Sequence, residues 1–444
     1  MKILIGGDGD TGVHLARQLS RENQDVVLMG TDESRLADMD ARFNILTYEG
    51  DPTSFNDLKS AGAAGCDLFV SVTPWGATNI VAAQIAKSMG ASKTVARIDT
   101  PEMLAPSSRE LFSSLGVDTM VYPEHLAARE ILSVLDHAWL RNRYTLCGGE
   151  VVVAGIRIPP GAPVDGMVLR EFGKRTHNFH VSAIRRGGTT IIPRGDDVIQ
   201  GRDVVWFTLA GGEESELARL CGRPNPVIKN IMVVGAGKMT RALCRNLGSD
   251  VRMTVIDPDR RRCSALMEIS RKVTVVNADY RDIDVLREEK IPDMDAFVAL
   301  TDSSETNIVS CMVAREFGVA KTVAEIEDVQ YFTEADSLDI DTVINKKLLT
   351  SSQIYQMLLD SWLPTPRCLA LEEAEVIELV VGDGAKVTRA SVRDLKLPSD
   401  ATVGALIRDG KGQLVGGDTR ILPGDHLVVF CLGGSLRKIE KFFS

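Results

Sequence analysis

The chain has 444 residues, 44% of them hydrophobic, and a formal net charge of −10 at pH 7. That length predicts about two to four domains, and the apolar content supplies real cores and excludes a disordered chain. The acidic charge is spread along the chain, which argues against nucleic acid because such binding needs clustered Lys and Arg.

No run approaches the ~18 apolar residues of a membrane span. Lys2 opens a strand that reaches a glycine loop by Gly6, leaving no room for the apolar stretch of a signal peptide, so a cytoplasmic protein is expected. The eight cysteines form no CxxC or Cys/His metal spacing, and the six histidines are isolated. The cysteines, Cys244 and Cys311 among them, read as small buried hydrophobes.

In chain order, apolar runs alternate with helical patterns. Residues 2–5 are a strand, and Val13, Ala16 and Leu19 give one face of a helix. Further strands follow at Val26–Met29, Ile45–Tyr48, Leu68–Val72, Thr94–Ile98 and Thr119–Tyr122. A long helical segment, His125–Leu140, precedes short strands divided by Gly, Pro and Asp turns. Gly187–Gly188 reads as a hairpin turn, Arg185 sits just before it, and Asp203 precedes a Val-rich strand. CGRPNPVIKN (Cys221–Asn230), with its two prolines, reads as a linker.

The order then repeats. Strands are expected at Ile231–Val234, Met253–Ile256, Val273–Val276, Ala296–Leu300, Thr322–Ile326 and Asp341–Ile344. A long helix at Lys347–Leu363 and a second set of short strands follow, with a turn at Asp409–Gly410 after Arg408 and an acid, Asp425, before the last strand. Strands separated by helices imply parallel sheets. The fold class is therefore α/β: two tandem Rossmann-like doubly wound sheets, each followed by a small α+β subdomain. The four domains expected are 1–137, 138–222, 228–360 and 361–444.

The repeat is sharpest at two glycine loops. KILIGGDGDTGVHLARQL opens the chain and IMVVGAGKMTRALCRNL begins at Ile231, with Gly7 and Gly235, like Gly9 and Gly237, 228 residues apart. GxGxxG between strand and helix cradles phosphate: glycines permit the turn and close backbone approach, and the helix N-terminus favours the anion. The first loop keeps Gly7, Gly9 and Gly12 but places Asp8 and Asp10 where phosphate would sit. Its expected ribose carboxylate is Gly30, with Asp32 two residues on. The second loop replaces the third glycine by Thr240, gains Lys238 and keeps Asp257 at the ribose position. Electrostatics favours the second site. Asp51 and Asp279 follow the third strands, and Thr73 with Asn79 matches Thr301 with Asn307 at the crevice ends of the fourth strands. These Thr and Asn side chains read equally as ligand contacts or as helix caps. Arg97 suits a phosphate, whereas its twin Glu325 does not.

Together with the paired loops, SVTPWGATN, ALTDSSETNIVSC (Ala299–Cys311), TVARID (Thr94–Asp99) and PGDHLVVF (Pro423–Phe430) carry a resemblance to the TrkA-type regulatory subunits of bacterial Trk potassium uptake systems. It spans essentially the whole chain as two tandem RCK modules, regulators of potassium conductance. The resemblance implies a cytoplasmic subunit, peripheral on the inner face of the plasma membrane, that binds NAD(H) or an adenine nucleotide (ATP or ADP). It implies a homo-tetramer forming a ring of eight modules, which gates an integral-membrane potassium-transporting Trk partner. His125–Leu140 and Lys347–Leu363 fall where the family places its crossover and dimerising helices. The chain departs from the pattern at Asp8, Asp10, Gly30 and Thr240.

An NAD-dependent oxidoreductase is the rival reading. It needs a general acid or base beside the nicotinamide and a substrate domain, for which the small strand-rich halves are too short. A scaffold with vestigial nucleotide sites is the third reading. A regulator without catalytic residues or a bound metal is the function expected.

Overall fold

The computed structural model describes all residues except 22–23, 44, 177, 224–225, 270–272, 329–330, 332–339, 363–367, 372–373, 396, 433–441 and 444. The opening strands are β1 (Lys2–Gly6), β2 (Asp25–Gly30), β3 (Leu46–Glu49), β4 (Leu68–Ser71), β5 (Lys93–Arg97) and β6 (Thr119–Val121). They form one parallel sheet in the order β3-β2-β1-β4-β5-β6. Helices Asp10–Arg21, Glu33–Arg42, Phe55–Ser60, Gly76–Ser88 and Pro106–Ser114 make the crossovers that parallel neighbours require. Helices on both faces explain why Ile3, Leu4, Ile5 and all of β4 are buried, as the unbroken apolar runs imply.

An antiparallel sheet comes next: β7 (Asn142–Leu146), β8 (Val151–Arg157), β9 (Phe179–Arg186), β10 (Thr189–Ile191) and β11 (Val204–Ala210). The second half repeats both sheets. Strands β12 (Asn230–Val234), β13 (Arg252–Ile256), β14 (Val273–Val276), β15 (Ala296–Ala299), β16 (Lys321–Glu325) and β17 (Thr342–Ile344) take the same parallel order as the first six. Strands β18 (Cys368–Leu371), β19 (Ala374–Val380), β20 (Ala401–Arg408), β21 (Lys411–Leu414) and β22 (His426–Leu432) form an antiparallel sheet ordered as the first, β18-β19-β22-β20-β21 matching β7-β8-β11-β9-β10. The expected fold class is therefore observed, and the expected parallel strands all form, with ends moved by a residue or two.

Both hairpin turns are as expected. Arg186 pairs with Thr189 across Gly187–Gly188, and Arg408 with Lys411 across Asp409–Gly410, all four turn residues having positive φ. The arginine that rhymes with Arg408 is Arg186, not Arg185. Its Nε and a terminal nitrogen bond both oxygens of Asp203 at 2.8 and 2.6 Å, and Arg408 grips Asp425 at 2.8 and 2.7 Å. Asp425 is buried, which raises its pKa, but the Arg408 bonds and the Leu422 N–H outweigh burial and hold the carboxyl below its usual range.

The first long helix is shorter than expected. It spans Pro123–Asp136, and Trp139 and Leu140 join the core of the first antiparallel sheet beside Val152, Ile156 and Phe207. The second spans Lys346–Trp362, and expected residue 363 lies outside the described residues.

The chain divides into two compact units: Met1–Arg129 with Asn345–Leu358, and Glu130–Ile344 with Leu359–Ser444. A helix from the second half thus belongs to the unit of the first parallel sheet. Within the other unit the two antiparallel sheets share a core of Val153, Ala183 and Trp206 with Val376, Ala405 and Phe430. At Gly404 the two sheets lie close together, since a Cβ there would lie 2.8 Å from the Thr208 hydroxyl and 3.1 Å from that of Ser182.

Candidate functional site

The strand order reverses between β1 and β4, and between β12 and β15, which opens a crevice at the carboxyl ends of those strands. After β1 the chain turns at Gly7 (φ +130°), whose N–H donates to the Met29 carbonyl at 2.8 Å. Gly235 (φ +95°) donates to the Ile256 carbonyl at 2.9 Å. A Cβ on Gly235 would lie 2.5 Å from the Leu300 carbonyl oxygen, so dihedral and space both demand glycine. A Cβ on Gly9 or Gly237 would meet nothing within 4 Å. That open space at the start of helices Asp10–Arg21 and Lys238–Asn246 is what a pyrophosphate needs. Gly237 caps its helix with no side-chain bond, and Lys238 is exposed at the first helical position.

A Cβ on Gly12 would fall on the Gly7 carbonyl oxygen. In the second loop the Thr240 hydroxyl donates to the matching Gly235 carbonyl at 2.5 Å. Thr240 is therefore more than a small substitute, because it closes the turn.

Asp257 is buried at the end of β13, where its Oδ2 accepts from Ala236 N and its Oδ1 from Asp259 N, each at 2.7 Å. A carboxylate has about four lone-pair sites, so two remain for ribose hydroxyls. Asp259 caps helix Arg260–Met267. Pairing of Gly6 with Met29 and of Val234 with Ile256 makes Gly30 the counterpart of Asp257 and Asp32 that of Asp259. Asp32 accordingly caps helix Glu33–Arg42, accepting from Ser34 N and Arg35 N at 3.1 Å. Bonds from the Ser34 hydroxyl and these N–H groups hold its carboxyl below the usual range.

The acidic first loop differs from its expected effect. Asp10 receives Lys347 Nζ at 2.7 Å and Arg35 at 3.3 Å. The Lys347 bond is the largest cause of its lowered pKa, with burial opposing. Two cations thus surround this acid. Asp8 turns its Oδ2 to Asp32 N at 2.6 Å, beside Gly30. Arg35 had a signal in the sequence: Asp32 and Arg35 repeat as Asp259 and Arg262, and Arg262 reaches Asp302 at 2.7 Å. Lys347 had none, lying 337 residues from its partner.

Comparison with known proteins identifies the architecture. The TrkA-N domain model matches residues 3–123 and 231–346, and the TrkA-C domain model matches 153–222 and 376–444. The chain belongs to the TrkA family. The Trk system potassium uptake protein TrkA of Vibrio alginolyticus is 30% identical over 97% of this chain and 95% of its own. The solved GsuK RCK domain superimposes with a TM-score of 0.60 at 16% identity, covering 100% of this chain and 94% of that one. The GsuK channel bound to NAD gives 0.60 at 16% identity, over 100% of this chain and 78% of that chain. No helix among the described residues is long and apolar enough to cross a membrane.

Within each TrkA-N domain the Thr–Asn pair ties strand ends together. Asn79 Oδ1 accepts from Thr73 N, the Thr73 hydroxyl and the Ser71 hydroxyl, while Nδ2 donates to the Thr73 and Arg97 carbonyls, all within 2.9 Å. Asn307 does the same for Thr301 and Glu325. Both asparagines are fully buried and hold the crevice floor, and neither is the cap of its helix. Asp51 closes the turn after β3 through Thr53, and Asp279 pairs with Arg281. Arg97 donates to the Thr73 carbonyl at 3.3 Å while its buried Nε finds no partner among the described residues. Its twin Glu325 is buried at the end of β16.

Proposed function

We propose that this chain is the nucleotide-binding regulatory subunit of a Trk-type potassium uptake transporter. The observation that carries the reading is the duplicated crevice: two open glycine loops at switch points, with Arg35 against the first loop and, at the equivalent helix position, Arg262 held by Asp302 in the second half. NAD(H) or an adenine nucleotide (ATP or ADP) fits these parts. Phosphate suits the loop and helix start, and ribose hydroxyls suit a carboxylate. Gly235, Gly237, Lys238, Thr240 and Asp257 would hold it in the second TrkA-N domain, and Gly7, Gly9, Gly12 and Arg97 in the first. The NAD-bound GsuK channel, of the same fold, supports this choice.

The working assembly is a homo-tetramer whose eight modules, divided at 1–137, 138–222, 228–360 and 361–444, form a ring beneath an integral-membrane Trk subunit on the cytoplasmic face. Exposed apolar side chains at Val81, Leu111 and Leu115, and at Val309 and Met312, provide surface for neighbouring modules. Nucleotide that binds one ring conformation better shifts the population toward it and so gates the pore. A coupling of about 1–3 kcal/mol, roughly 5–150-fold, is sufficient.

Thermal unfolding with NADH, NAD, ATP and ADP tests the reading. A ligand at 100 times its Kd stabilises by about 2.7 kcal/mol. At least one of the four is expected to raise Tm and to change potassium flux into vesicles carrying the membrane partner. No shift at millimolar concentration overturns the reading in favour of a scaffold, and turnover of NADH with a carbonyl substrate would restore the oxidoreductase.

Lys347→Ala should weaken ATP binding at the first loop by about three- to fivefold, because it removes a cation beside the phosphate space. A half-exposed ion pair is worth at most about 1 kcal/mol, which sets that ceiling. Titration at low and high salt checks it, since the difference should shrink as salt screens the charge.

A further inference from the structure

The first crevice lost its carboxylate at the end of β2, yet a carboxylate stands there. By the strand pairing, Asp8 corresponds to Ala236, Gly30 to Asp257 and Asp32 to Asp259. A Cβ built on Gly30 would fall on the carboxyl group of Asp8. The Asp8 carboxyl carbon therefore occupies the space in which a side chain at position 30 would begin. Its Oδ2 accepts from Asp32 N at 2.6 Å, and in the second crevice the equivalent donor, Asp259 N, goes to Asp257 Oδ1 at 2.7 Å. The same backbone N–H thus finds the same kind of acceptor, delivered from a different point on the chain.

The exchange is complete at both ends. Where the loop carries the acid, the strand end is glycine; where the strand end carries the acid, the loop has Ala236. Gly30 lacks a positive φ, so space for Asp8 explains the glycine and backbone conformation does not. Asp8 Oδ1 accepts from no described residue and Asp8 is only partly buried, so acceptor capacity remains.

We infer that Asp8 is the ribose-recognising carboxylate of the first crevice, taking the task that Asp257 has in the second. This rests on the nucleotide reading above. An ionised carboxylate only accepts hydrogen bonds, so it suits free 2′- and 3′-hydroxyls and opposes a 2′-phosphate. The first site is therefore selective for unphosphorylated ribose, as in NADH or ATP over NADPH.

The test uses the full chain carrying Asp257→Ala, or Asp257→Asn if the alanine variant does not fold, so that the first site is read alone. NADH, NADPH, ATP and 2′,3′-dideoxy-ATP are titrated by calorimetry. Asp8→Ala should weaken NADH and ATP by at least about 30-fold, the loss of charge-assisted hydrogen bonds to ribose. It should also abolish the preference for ATP over its dideoxy analogue. Gly30→Asp alone should lose binding through collision with Asp8. Asp8→Ala combined with Gly30→Asp rebuilds the second site's arrangement and should restore both affinity and hydroxyl preference. A purely structural role for Asp8 would lower Tm without touching the ribose preference, and that result overturns the inference. So does failure of the double variant to recover, or the absence of first-site binding in a protein whose unmodified form binds. If the unmodified chain binds none of the nucleotides, the nucleotide reading itself fails.

Discussion

Asp257→Ala is expected to reduce nucleotide binding in the second TrkA-N domain by at least about 100-fold, turning a two-site isotherm into a one-site isotherm. The carboxylate accepts two backbone N–H bonds at 2.7 Å and is buried. Hydrogen bonds to a charged acceptor contribute about 1.5–3 kcal/mol each. Its removal leaves the Ala236 and Asp259 N–H groups without their acceptor, loosens the turn that shapes the phosphate space, and deletes the ribose contacts. A 100-fold loss corresponds to about 2.7 kcal/mol, within what those ribose contacts supply. Asp32→Ala is the matched control. It should lower Tm modestly, as a lost helix cap does, and change affinity by less than about threefold. Calorimetric titration with NADH and ATP, beside Tm, decides between them. A large loss from Asp32→Ala with little from Asp257→Ala would transfer ribose recognition to the helix cap.

The repeat made most of the fold legible. Buried parallel strands announce themselves as apolar runs, and a turn of two residues with positive φ announces a hairpin. Facts that depend on which way a side chain leaves the backbone were not legible. Arg185 and Arg186 are adjacent, and only the pairing of Arg186 with Thr189 shows which one turns back to Asp203. Trp139 and Leu140 continue a helical apolar pattern, but they satisfy it in a different core, so the helix ends at Asp136. Asp8 was visible as an acid in the loop, and its direction was not. Gly30 carries the signal: a strand end without its carboxylate leaves the room that an acid 22 residues earlier fills. Lys347 lies beyond any local pattern, because chain topology alone brings it to Asp10. With Asp10 held between two cations, the electrostatic gap between the two crevices is narrower than their loop sequences imply.

Lowering the pH from 6.5 toward 4 should destabilise the unit containing the antiparallel sheets by about 3 kcal/mol through one residue, His180. It lies on β9 beside Thr208, against which Gly404 of the other small sheet packs. Its Nε2 is buried with no partner among the described residues, and burial pushes its pKa down to about 4, with a hydrogen bond to the Val415 backbone opposing. The unfolded chain takes up the imidazole proton near 6.5, but the folded chain does not do so until about 4. Between those values the unfolded state binds more protons, so stability falls as pH falls through the window and levels off below it. The interval converts to about 3 kcal/mol at 1.36 kcal/mol per tenfold change in proton affinity. Asp10, Asp32 and Asp425, whose carboxyls are held below 3.8, lose their contributions at lower pH and do not mimic this effect. His125 is also shifted downward, chiefly by burial, so the comparison must isolate His180. Urea unfolding of the native chain and of His180→Leu at pH 7.5, 6, 5 and 4.5 does so. The variant should lose the slope between 6.5 and 4.5 while giving up only about 1 kcal/mol at pH 7.5 for the Val415 bond. Parallel slopes in the two proteins would show that the unprotonated imidazole is not what holds these sheets together at neutral pH.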